Sequence, residues 1–139
     1  MPDASHGRAD SFHDLWAFRL GSYRDGDAHV IALAGELDDW TIDAVERELK
    51  RAERTDARFI VLDLRKLEFI ACSALRIIAM AHRRQPGRLI IVKGPAHVHR
   101  VFELCNLVSV LPLVDTYQRG RQAAQEGRRG SHHRLREVL

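Results

Sequence analysis

Residues 59–84 read FIVLDLRKLEFIACSALRIIAMAHRR, and the reading of this stretch decides the fold. Phe59-Ile60-Val61-Leu62-Asp63-Leu64 is an apolar run broken by a single acid, the pattern of a strand covered on both faces. A short loop through Leu67 and Phe69 follows. From about Cys72 to Arg84 the apolar residues Leu75, Ile77, Ile78 and Met80 cover most sides of a helix, which therefore needs both sheet and a neighbouring helix against it. Pro86-Gly87 stops that helix. A buried strand running straight into a helix is the first half of a βαβ unit.

The flanking sequence repeats this alternation. Downstream, Leu89–Val92 reads as a further buried strand, and Gly94-Pro95 as a turn that starts a helix. Val98, Val101, Phe102 and Cys105 then recur at i, i+3, i+4 and i+7, and residues 110–114 suit a last short strand. Upstream, His29–Ala34 is a continuous apolar strand. It is preceded by the turn Arg24-Asp25-Gly26-Asp27 and by a half-buried edge strand from Trp16 to Tyr23. After Gly35-Glu36-Leu37-Asp38-Asp39, the residues Ile42, Val45, Leu49 and Ala52 keep helical spacing. Asp38, Asp39 and Thr41 are its candidate caps.

Strands alternating with helices predict an α/β domain with a mixed, mostly parallel sheet of four or five strands. About four helices are expected, counting a helical start to the tail. The polar residues 1–15 read as a flexible leader, 16–115 as the domain, and 116–139 as a basic, partly disordered tail. A length of 139 residues suits one domain.

The net charge of +3 does not indicate a nucleic-acid binder. Residues 116–139 carry six arginines against Glu126 and Glu137, which is +4, so residues 1–115 sum to −1. The domain itself lacks the basic stripe with stacking aromatics that nucleic acid requires. No apolar run reaches the ~20 residues of a membrane span, and the N-terminus lacks a secretory pattern, so a cytoplasmic location without membrane insertion is expected. Cys72 and Cys105 fall in apolar stretches and read as two small buried side chains.

No enzyme signature emerges. Val92-Lys93-Gly94-Pro95 has neither the glycine spacing nor the Lys-Ser/Thr ending of a phosphate loop. His97 and His99 point about 200° apart around a helix and cannot share a metal. No catalytic residue, metal site or cofactor is therefore assigned. Two loops stand out instead: Gly35, Glu36, Leu37 and Asp38 close one buried strand, and Cys72, Ser73, Ala74 and Leu75 open the helix after the next. In a parallel sheet both lie on the carboxyl edge, beside helix starts with unsatisfied N–H groups. Those eight residues are the expected partner-binding site.

From about Phe18 to Asp115 the chain resembles the STAS family, and bacterial anti-sigma-factor antagonists in particular. The resemblance rests on the Gly-Glu-Leu-Asp loop, the strand ending Val61-Leu62-Asp63-Leu64, the junction from Phe69 to Leu75, and the segment Val98 to Val108. It implies a single STAS-like domain, not an enzyme, that docks on a serine-kinase-type anti-sigma factor and so controls sigma-dependent transcription. A homodimer is a further partner it allows. The alternative within the family is a STAS subunit of a lipid or ABC-type membrane transport system. Family members are phosphorylated in an Asp-Ser-Ser/Thr-Gly-Leu junction, whose phosphate adds about −1.5 to −2 charges at the interface. Here Ala71 replaces the acid, Cys72 the acceptor and Ala74 the glycine. Ser73 is left as the candidate phosphorylation site, against an ordinary first-turn serine; Cys72 reads as packing or as a redox-sensitive thiol.

Overall fold

The computed structural model describes residues 11–15 and 17–116, with side chains from Ala17 onward. Its elements are β1 (Ser11–Leu15), β2 (Phe18–Asp25), β3 (Ala28–Leu37), α1 (Ile42–Glu53), β4 (Phe59–Ile70), α2 (Cys72–Arg84), β5 (Leu89–Val92), α3 (Ala96–Leu104) and β6 (Leu113–Val114). The strands form one sheet whose spatial order is their order in the chain. β1, β2 and β3 pair antiparallel, and β3 through β6 pair parallel.

This is the expected mixed α/β sheet, with six strands in place of four or five. The sixth comes from the leader: Ser11–Leu15 pairs with Phe18–Ser22, so β2 is an interior strand and β1 the edge. The leader has no long apolar run, and a strand that gains its hydrogen bonds by adding to an existing edge needs none. Three helices lie among the described residues. The helical start to the tail, and the tail itself, fall outside them.

Each parallel crossover adds its new strand on the same side of the last. Right-handed crossovers that all advance in one direction place every helix on one face of the sheet. One core cluster accordingly joins Val45, Leu49 and Ala52 of α1, Ala74, Leu75, Ile78 and Ala81 of α2, and Val98 and Phe102 of α3. Opposite them it holds the inward residues Leu20, Ile31, Leu33, Ile60, Leu62, Leu64 and Ile91. Ala28, Val30, Phe59, Val61 and Val92 form a second cluster of the alternate strand positions.

The loop expected through Leu67 and Phe69 is strand. β4 continues to Ile70, with register shifts against β3 between Ala32 and Ala34 and between Gly35 and Glu36. These irregularities let Leu67 and Ile70 turn inward while Arg65, Lys66 and Glu68 stay outside. Because β5 last pairs at Asp63↔Val92, the end of β4 overhangs β5 by seven residues.

Three polar groups meet beneath α1. Ser22 Oγ donates to Glu48 Oε2 at 2.5 Å and accepts from His29 Nε2 at 2.6 Å. All three residues are buried. The hydroxyl proton goes to the carboxylate rather than the imidazole, and Arg51 Nη2 also donates to Glu48 Oε2 at 3.0 Å, so the cluster holds α1 to the sheet as a satisfied polar network.

Candidate functional site

The first loop is fixed by backbone geometry. Gly35 has φ +87°, and a Cβ there would lie 1.7 Å from the Ala17 carbonyl oxygen, which accepts the Glu36 N–H at 2.9 Å. Leu37 is fully buried, and its carbonyl accepts the Ala71 N–H at 2.8 Å. That bond stitches the two expected loops together. Asp38 Oδ1 accepts from the N–H groups of Trp40 at 2.9 Å and Thr41 at 3.2 Å. The Asp38 N–H donates to Thr41 Oγ1 at 3.0 Å. Asp38 thus closes the turn that launches α1.

The second loop begins α2 without a side-chain cap, because its N-cap residue is Ala71. Ser73 Oγ instead donates across to Asp39 Oδ1 at 2.5 Å. Asp39, expected to cap α1, serves the neighbouring helix. Ala74 and Leu75 are buried in the core.

A third segment reaches the same place. α3 leaves β5 under the overhang of β4, where His97 Nε2 donates to the Glu68 carbonyl at 2.7 Å. Gly94 lies so close to the Leu64 carbonyl that a Cβ would sit 2.8 Å from it. The helix ends on Leu104 and its C-cap Cys105. Both cysteines are exposed, which corrects the expectation of two buried side chains. Cys72 is the first residue of a helix at the sheet edge, and Cys105 follows the buried Phe102 by three residues, where the helix has already ended. Desolvation at its sulfur and then the Cys72 thiol raise the Cys105 pKa above the usual thiol range.

Of the eight residues expected to bind a partner, Glu36, Cys72 and Ser73 are exposed and Asp38 is half-buried. Leu37, Ala74 and Leu75 are core residues, and Gly35 is a backbone requirement. The same edge carries two exposed aromatic side chains outside those eight residues: Trp40 at 89% and Phe69 at 49% relative exposure. Trp40 stands in an acidic turn between two strong helix-start signals, and an aromatic there has no core to fill. That was the available clue. Among the described residues no three His, Cys, Asp or Glu side chains are grouped as a metal site, and no helix is long and apolar enough to cross a membrane. His99 stacks on Phe102 at 6.4 Å between ring centroids and turns away from His97.

The helices pack on one face of a mixed α/β sheet whose carboxyl edge carries the two stitched loops. The STAS domain model matches residues 22–120, and the chain belongs to the STAS domain family. Over 90 residues it is 29% identical to the anti-sigma F factor antagonist of Paenibacillus polymyxa, a match spanning 62% of this chain and 77% of that one. Its fold is that of an anti-sigma factor antagonist from Mycobacterium paratuberculosis, with a TM-score of 0.69 at 21% identity over 80% of this chain and 94% of the other. Unphosphorylated SpoIIAA is similar at a TM-score of 0.59 and 22% identity, over 82% and 97%.

Proposed function

We propose that this chain is a cytoplasmic anti-sigma factor antagonist that performs no chemistry itself. It docks on a serine-kinase-type anti-sigma factor through its carboxyl edge and so frees a sigma factor. The observation that carries this reading is the exposure of Trp40 and Phe69 on the loops that hold the hydrogen-bonded Ser73–Asp39 pair. Large exposed aromatic side chains beside satisfied polar groups are the usual anchors of an interface. The relative from Paenibacillus polymyxa, named for antagonism of an anti-sigma factor, supports the partner class.

The test uses the anti-sigma factors encoded in the same genome, each titrated with the full chain in a calorimeter. One of them binds, and Trp40→Ala weakens that binding by about 2 kcal/mol without lowering the melting temperature. Full affinity in the folded variant would remove Trp40 from the docking edge. Failure of every anti-sigma factor to bind would overturn the partner class.

A further inference from the structure

We infer that the C-terminal segment beginning at Tyr117 packs across the face of the sheet opposite the helices and completes a second core there. Ala28, Val30, Phe59, Val61 and Val92 are buried on that face, with Ile90 and Val114 packed against them. Val30, Val61 and Val92 have no exposure at all. Every member of this cluster is a strand residue. Among the described residues, the three helices send their core side chains to the other face. A sheet face turned to water carries polar residues, whereas an apolar face buried to this extent has a second layer over it.

The burial is graded across the sheet, and the gradient shows from which side the cover arrives. Tyr23, Val30, Val61 and Ile90 lie side by side in one row, and Asp63, Val92 and Val114 in the next. On β2, toward the leader, Arg19 and Tyr23 are exposed. From β3 to β5 the valines are fully buried. Polar groups frame the cluster at both ends: Arg58 lies 5.9 Å over the Phe59 ring, and Arg65 pairs with Asp63 at 2.8 Å. The chain leaves the sheet at β6, where Val114 already packs on the cluster and the Lys93–Asp115 ion pair at 2.7 Å holds the exit.

The tail has the reach and the pattern for this. Neighbouring strands lie about 4.8 Å apart, so the cluster extends about 14 Å inward from β6 to β3. A helix rising about 1.5 Å per residue crosses that span in about ten residues. Tyr117, Gly120, Ala123 and Ala124 recur at i, i+3, i+6 and i+7, one face of a helix, while Arg119, Arg121, Gln122 and Gln125 fall on the rest. Glycine and alanine on the inner face let such a helix lie close on the valines. The leader, in contrast, joins the sheet at the far edge, and residues 1–10 hold Met1 as their one large apolar side chain. The inference does not depend on the docking reading above.

Nuclear Overhauser spectra of the full-length chain with labelled methyl groups test it directly. Contacts are expected from the Tyr117 ring and the Ala123 and Ala124 methyls to the methyls of Val30, Val61 and Val92. A sample mixing labelled and unlabelled chains should show none of these contacts between chains. Contacts from residues 1–10 in their place, contacts between chains alone, or no contact to the three valines from outside the strands would each overturn the inference. Ala124→Glu puts a charge under the cover and should lower the urea midpoint by about 1 M and raise the fluorescence of an apolar dye. Gln122→Glu, on the opposite side of the same helix, should do neither. An Ala124→Glu chain with the midpoint of Gln122→Glu would also overturn the packing.

Discussion

Ser73 Oγ donates to Asp39 Oδ1 at 2.5 Å, a bond between two loops 34 residues apart. It gives the one hydroxyl of the second loop a carboxylate neighbour in space, where the adjacent sequence position has Ala71. A phosphate on Ser73 would bring about −1.5 to −2 charges against that carboxylate and break the bond. The chain is therefore expected to be a poor kinase substrate. After incubation with its anti-sigma kinase and ATP, the intact mass should be unchanged. Stoichiometric addition of one phosphate that vanishes in Ser73→Ala would show that the acceptor has shifted by one residue.

Gly35 and Gly87 both have positive φ, at +87° and +80°, but only Gly35 lacks room for a Cβ. Gly87→Ala should cost about 1–2 kcal/mol for the left-handed backbone alone. Gly35→Ala must also displace the Ala17 carbonyl and should cost roughly 3 kcal/mol or more. Urea midpoints of the two variants check the order. Equal losses would mean that β2 shifts freely away from residue 35.

Arg88 binds the loops at the opposite end of the sheet. Its guanidinium donates to the carbonyls of Glu53 at 2.9 Å, Thr55 at 2.9 Å and Ala57 at 2.8 and 3.0 Å, and to Gln85 Oε1 at 2.8 Å. An ammonium cannot span that set. Arg88→Lys is expected to lower stability by about 2 kcal/mol, read from denaturant unfolding, while binding at the distant carboxyl edge stays unchanged. A neutral substitution would show that water replaces the fork.

His82 is 6% exposed and its Nδ1 has no hydrogen-bond partner. Burial lowers its pKa below 6.5. The unfolded chain therefore takes up a proton near pH 6.5 that the folded chain binds only at lower pH. Where the unfolded state holds more protons, stability falls as pH falls. The loss should begin below about pH 6.5 and level off beneath the folded pKa. His82→Phe should be less sensitive than the wild type to a change from about pH 7.5 to about 5.5. Identical pH slopes would show that His82 titrates normally.

Much of the fold was legible in the sequence because continuous apolar strands and helical spacing are local signals. The strands at Phe59–Leu64 and Leu89–Val92 and the helix Cys72–Arg84 lie where the pattern puts them. β1 escaped because an edge strand draws on its neighbour's hydrogen bonds rather than on its own apolar content. The overhang of β4 escaped because two register shifts break the alternation there. At the site, Glu36, Asp38 and Ser73 could be found from their loops. The Asp39–Ser73 hydrogen bond joins residues far apart in the chain, and no local pattern encodes it.

The strand order equals the chain order, so each segment leaving a ribosome can add to an edge that already exists. Chain synthesis at about 5–20 residues per second leaves time for this accretion. β3, α1, β4 and the start of α2 complete the Trp40, Phe69 and Ser73 part of the edge before α3 has been made. A nascent chain would thus display Trp40 and Phe69 while α3 is still untranslated.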